Sequence, residues 1–262
     1  MTDKVRAIVA KEWADVFRNR MVIMLVAVPP ALMVVLSLGV LGATRSFPPS
    51  DLDDMQMFMQ QPSFAGLTEM EAAQVVMAQY FLTLFLLMPL IIPVSIAAYS
   101  IVGEKVQRSL EPLLATPVET SELLLAKCLA AVLPALGVTW LAFAIFVLGA
   151  RVFAVSDAAF GRMVSPVWIL MVLVIAPLMA TMGVLLSVIA SSRLNDPRAV
   201  EQGIGVLVVP VLGIFLAQMT GLLTINYLTL TIGALLLLAV DALMLRAAVK
   251  LFDREAILTR WR

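Results

Sequence analysis

Charged residues in this chain are confined to short stretches between long runs that contain none. Asp, Glu, Lys and Arg are absent from residues 21–44, 72–103, 128–150, 163–192 and 202–240, and each run reaches the roughly 20 residues that cross a bilayer's hydrocarbon core. The last run, 39 residues long, would extend about 58 Å as one helix, roughly twice the apolar thickness. The polar and glycine-bearing stretch "MTGLLTIN" at 219–226 divides it. The pattern therefore predicts six spans, near 21–43, 72–103, 128–150, 166–192, 199–219 and 225–245. Ahead of them, Val5, Ile8, Val9, Trp13, Val16 and Phe17 recur at helical spacing, with Lys4, Lys11, Asp15 and Arg18 elsewhere on the wheel. Residues 1–20 thus read as an amphipathic helix lying in the membrane interface, the alternative being a simple extension of span one.

Composition points the same way. The chain is 62% hydrophobic and 14% charged, against roughly 45–50% and about 25% in soluble domains. Its formal net charge of zero conceals an asymmetry. With the amino terminus in the cytoplasm, 15 of the 18 Lys and Arg residues fall on the cytoplasmic side, leaving only Arg45, Arg151 and Arg162 outside. This positive-inside bias sets both termini and residues 104–120 in the cytoplasm of a multi-pass protein of the inner or plasma membrane. Trp13 and Trp261 near the inner boundary and Trp168 near the outer one fit aromatic anchoring. The first 20 residues mix both charge signs and the apolar run after them is long, so a cleaved signal peptide is not expected. The expected fold class is all-α: one polytopic membrane domain over 1–262, without internal repeats or linkers.

The extracytoplasmic segment 44–71 is large enough for a small ectodomain and no more. "SDLDDMQMFMQQ" at 50–61 opens with a capping pattern for a short helix, and Thr68 with Glu71 forms a capping box that starts span two outside the membrane. Met55, Met57 and Met59 alternate there; soft thioethers select Cu(I), but methionine is also an adaptable packing residue, and no metal site is assigned.

Prolines interrupt five of the six spans, at Pro29, Pro30, Pro89, Pro93, Pro134, Pro177 and Pro210. They read either as bends lining a path that opens and closes or as the ordinary tolerance of membrane helices for proline. Gly205, Gly213, Ala217 and Gly221 form a small-residue stripe for close packing, within one subunit or between two copies. Asp241 is the one acidic residue deep in a span, and five residues before Arg246 it can reach the inner interface or a basic partner; the alternative is a transport role. Pro89, Pro93, Pro210, Gly213 and Asp241 are therefore the candidate transport or packing positions.

Catalytic chemistry is missing. No G-x-x-x-x-G-K-[ST] loop occurs, there is no histidine, and the single cysteine, Cys128, permits no disulfide within the chain. Neither a metal centre nor a bound cofactor is expected, the chain does not read as an enzyme, and nothing points to nucleic acid. Active transport would draw its energy from another subunit. Two other classes stay open: a secondary transporter or channel needing no ATPase, and a non-transporting membrane assembly subunit.

The cytoplasmic stretch "VGEKVQRSLEPLLATPVETSELLLAK" at 102–127 sets leucines amid charges and prolines, and Thr116, Pro117 and Glu119 form a capping box leading into span three. Such a surface docks on a partner or rests on lipid headgroups. It resembles the cytoplasmic signature of ABC-2 type exporter permeases. "AKEWADVFRNR" (10–20) and "VLVVPVLGIFLAQMTG" (206–221) are similar to that family's amino-terminal helix and proline-bearing fifth span. The resemblance implies a six-span permease subunit, paired with a second copy or homologue and driven by two cytosolic ABC ATPase subunits that bind ATP and Mg. It also implies that 104–120 carries a coupling helix, with Glu104, Arg108, Leu110, Glu111, Pro112, Leu113 and Leu114 contacting the ATPase and Pro117 and Glu119 setting the exit into span three. One departure is visible: many family members carry re-entrant outer helices between spans five and six, where this chain has only "MTGLLTIN".

Overall fold

A computed structural model describes residues 3–46, 56–106, 120–191, 194 and 196–251. Among these no strand occurs and helix dominates. Six segments are long and apolar enough to cross a membrane: Arg20–Ser46, Glu69–Gly103, Glu122–Phe153, Asp157–Ser191, Pro197–Met219 and Tyr227–Val249, called here spans one to six. The chain is an all-α multi-pass membrane protein. Arg108, Leu110, Glu111, Pro112, Leu113, Leu114, Pro117 and Glu119 lie outside the described residues, as do Met55 and Trp261; Glu104 falls in the helix Leu87–Val106.

The amino-terminal helix, Asp3–Arg18, is separate from span one. Asn19 between them is extended (φ −89°, ψ 106°), and its side chain accepts a hydrogen bond from the Met21 amide at 3.0 Å, so one residue ends the first helix and caps the second. The helix buries Val5, Val9 and Val16, and Val5 and Val9 pack on Ala126 and Ala130 of span three. The valines of its apolar stripe are thus covered by protein, while Phe17 stays 58% exposed.

Span two opens with the capping box: the Thr68 amide donates to Glu71 Oε2 at 2.7 Å and the Glu71 amide to Thr68 Oγ1 at 3.4 Å. Its helix stops at Phe85 and resumes at Leu87. Pro89 explains the break, since it cannot donate to the Phe85 carbonyl and its ring crowds that turn, whereas Pro93 lies inside the helix that follows. Span two is the axis of the fold, with 78% of its most apolar window buried, against 56% for span four and only 12% and 6% for spans five and six. Span four reaches it through Gly183, where an added Cβ would stand 2.7 Å from the Leu90 carbonyl oxygen. Ser187, one turn on, donates to the Val94 carbonyl at 3.3 Å. The expected outer anchor Trp168 is instead a core residue, 2% exposed, because span four begins at Asp157 and carries the indole inward.

Span four contains a π-helical turn at Met171–Ile175, just before Pro177. There the Ala176 amide bonds Met171, so the Val172 carbonyl would look to residue 177, which has no N–H. Trp140 Nε1 of span three donates to it at 3.2 Å. Span five is likewise interrupted: helix Pro197–Ile204, a 3₁₀ turn at Gly205–Leu207, then helix Val208–Met219. Between it and span six lies only a turn, with Gly221 at φ +69°, where a Cβ would be strained. Asn226 caps span six, accepting from the Leu228 and Thr229 amides at 2.9 and 3.0 Å.

Candidate functional site

The densest polar arrangement sits at one end of the bundle, where span two ends and span three begins. Glu12 projects from the amino-terminal helix and is 4% exposed, and Lys127 near the start of span three is 3% exposed. Lys127 Nζ donates to Glu12 Oε1 at 3.1 Å and to Ser100 Oγ at 2.9 Å, and Ser100 Oγ donates to Glu12 Oε2 at 2.6 Å. Ser100 lies near the end of span two, so the three residues close a triangle across three helices. Burial raises the Glu12 carboxyl pKa, but the Lys127 charge, the Ser100 hydrogen bond and Lys11, whose Nζ is 3.5 Å away, outweigh it and hold the group below its ordinary 4.5. Both carboxylate oxygens are satisfied, as a buried charge requires.

A second bond reinforces this triangle. Trp13 Nε1 donates to the Ala130 carbonyl at 3.0 Å. In an α-helix that carbonyl would accept from the amide of residue 134, but residue 134 is proline. The indole supplies the missing donor, so the amino-terminal helix grips span three through an ion pair and through the carbonyl that Pro134 leaves free. A cavity of about 430 Å³ adjoins the triangle, with Lys11, Asp15, Asn19 and Tyr99 on its wall.

The outer ends of spans one to three are also tied. Gln74, fully buried, donates to the Leu41 carbonyl, Thr44 Oγ1 and the Phe153 carbonyl at 3.2, 3.1 and 3.0 Å, and its oxygen accepts from the Val155 amide at 2.9 Å. The Arg45 guanidinium caps span three by donating to the carbonyls of Val152, Phe153 and Ala154. Spans two and three are thus pinned at both ends, and span one at its outer end.

Spans two and five meet at a buried hydrogen bond from Thr83 Oγ1 to Gln218 Oε1, 2.5 Å long. Nearer the start of span five, Val200 packs on Val94, Ala98 and Val102 of span two, and two cavities adjoin the span. One of about 330 Å³ has Met171, Met179, Met182 and Pro210 on its wall; another of about 210 Å³ has Ser95, Glu201 and Gly205. Pro89 and Pro93 are buried, whereas Pro210 and Gly213 are exposed. A Cβ added at Gly205 or Gly213 meets nothing within 4 Å, so that stretch of the stripe has no partner among the described residues. Asp241 is 7% exposed and neither carboxylate oxygen has a hydrogen-bond partner. The basic partner expected from the sequence is not found for it among the described residues.

Sequence reasoning missed the inner triangle, Gln74, Thr83, Gln218 and Glu201. Lys127 was legible as a positive-inside charge, and Trp13 as an anchor and as part of the amphipathic stripe. No group of three or more potential metal-binding His, Cys, Asp or Glu side chains occurs among the described residues.

Six apolar helices, the second of them broken, with a buried ion pair at one end of the bundle, make a polytopic membrane protein. The family described as ABC-2 family transporter protein matches residues 6–239, and the chain belongs to it. No curated protein matches the chain. The protein is accordingly an ABC-type membrane permease, a transport component that is not itself the catalyst.

Proposed function

We propose that the chain is the translocating subunit of an ATP-driven exporter. It pairs with a second permease copy or homologue and is driven by cytosolic ATPase subunits, which bind ATP and Mg. The observation that carries this reading is the position of the Glu12–Ser100–Lys127 triangle. Ser100 and Lys127 flank the segment 104–120, and Glu12 binds both. A push on the loop is therefore delivered to the amino-terminal helix and to spans two and three as one block.

In this mechanism the ATPases close on ATP, and Glu104, Arg108, Leu110, Glu111, Pro112, Leu113 and Leu114 receive the movement, with Pro117 and Glu119 fixing the entry to span three. The outer polar ties around Gln74 favour rotation of the block over shear between its helices. The path runs beside spans two and five, where Pro89, Pro93 and Pro210 and the 3₁₀ turn at Gly205–Leu207 supply bends. The exposed Gly213 face suits close approach of the second permease. Cargo moves outward across the inner or plasma membrane, from the cytosol or the inner leaflet.

The test is co-purification from native membranes. The wild-type chain should bring down an ATPase bearing a phosphate-binding loop, and Glu111→Lys combined with Leu113→Asp should lose it while inserting normally. An epitope beside Glu111 should be reachable in inside-out vesicles and protected in intact cells; the reverse pattern would sink the proposal.

A further inference from the structure

The spans are thinly supplied with ionisable groups, and two carboxylates among them carry buried oxygens without a partner: Asp241, which is buried, and Glu201, which is half-buried with only Oε1 enclosed. Among the described residues, the buried side-chain polar atoms without a hydrogen-bond partner are Gln61 Oε1, Glu201 Oε1 and the two carboxylate oxygens of Asp241. Three of the four belong to carboxylates within spans five and six. Lys127, the buried cation, already has its counter-ion in Glu12. An uncompensated carboxylate in a low-dielectric site is costly, and in membrane proteins such groups face cavities and mark the route of a ligand.

Glu201 does face a cavity. The space of about 210 Å³ between spans one, two and five is walled by Leu25, Ile91, Ser95, Glu201, Gly205 and Val208. Ser95 is 5% exposed, and its hydroxyl has only a long 3.5 Å bond to the Ile91 carbonyl, leaving the oxygen free to accept. Glu201 lies four residues into span five and Ser95 eight residues from the inner end of span two, about 6 and 12 Å deep. The cavity therefore belongs to the inner half of the membrane. One carboxylate and one hydroxyl on apolar walls give too few oxygens for a hard metal ion, which takes six or more. They do suit an organic cation, whose hydrocarbon meets the walls while its charge meets a single acid.

We propose that the cavity between spans one, two and five binds the head of an amphiphilic ammonium compound, with Glu201 as counter-ion and Ser95 as hydrogen-bond acceptor. This gives the cargo of the permease proposed above a chemical class, and it rests on that reading only for the term cargo.

Binding of radiolabelled octylammonium to the full-length chain in lipid nanodiscs tests this without any ATPase, so its outcome is separate from that of the co-purification. Saturable binding above empty nanodiscs is expected. Glu201→Gln should weaken it about tenfold or more, and Glu201→Asp should recover most of it. Gly205→Leu, which fills the cavity from a position where an added Cβ meets nothing within 4 Å, should abolish binding with the carboxylate still in place. Octanol and octanoate should not compete. Absence of saturable binding, equal competition by octanol, displacement by millimolar sodium, or wild-type affinity in monodisperse Glu201→Gln and Gly205→Leu proteins would each overturn the assignment.

Discussion

Glu12 and Lys127 are 115 residues apart in sequence and 3.1 Å apart in space. That pairing makes the helix ahead of the first span part of the same unit as the start of span three. Glu12→Gln removes the carboxylate paired with the buried Lys127 ammonium, and breaking such a pair costs about 3–5 kcal/mol. Thermal unfolding of the purified protein should show the loss, and exchanging the charges, Glu12→Lys with Lys127→Glu, should recover a substantial part of it. A Glu12→Gln protein as stable as wild type would show that the pair contributes nothing.

The same pair sets a pH dependence. The Glu12 carboxyl is held below 4.5 in the folded protein, so the unfolded chain binds the proton more tightly. Its stabilisation is complete above about pH 4.5 and is lost as pH falls through the depressed folded value. The melting-temperature gap between wild type and Glu12→Gln should be constant from pH 7 to 5 and shrink at lower pH. A gap that persists undiminished to pH 3 would mean that the carboxylate is not the stabilising species.

Trp13 and Pro134 are coupled through the Ala130 carbonyl. Trp13→Phe keeps an aromatic ring but leaves that carbonyl without a donor, at a cost of about 1–3 kcal/mol. In a Pro134→Ala background the helix supplies its own amide, and Trp13→Phe should become close to neutral. A double-mutant cycle on thermal stability measures this coupling; strictly additive effects would refute it.

Gly183 is where span four rests on span two. An alanine Cβ there would meet backbone at 2.7 Å, the Leu90 carbonyl oxygen, which cannot rotate away as a side-chain tip could. Gly183→Ala should destabilise the protein by about 1–3 kcal/mol through forced separation of the helices. Gly213→Ala, inside the helix Val208–Met219 with nothing within 4 Å among the described residues, serves as the comparison and should leave the subunit's melting temperature unchanged or slightly raised.

Much of the fold could be read from local pattern. Uncharged runs mark the spans, and the Thr68–Glu71 capping box, three residues across, forms as its spacing predicts. The site was less legible because its contacts are not local. Nothing near Lys127 announces a carboxylate on a helix 115 residues earlier, and Trp13 meets Ala130 only once the helices pack. Trp168 misled because aromatic residues near a predicted boundary suit both lipid and core, and only the early start of span four decides between them. Pro134 and Pro177 offered a usable signal: each strips a carbonyl of its donor, and in the structure Trp13 and Trp140 supply the replacements.

The most direct measurement is ATP hydrolysis by the partner ATPase, reconstituted in nanodiscs with the wild-type chain or with its Glu111→Lys, Leu113→Asp variant. The wild-type chain should change the hydrolysis rate, and the correctly inserted variant should leave it at the level of the ATPase alone. Equal rates with both chains, each differing from the ATPase alone, would contradict coupling through the cytoplasmic loop.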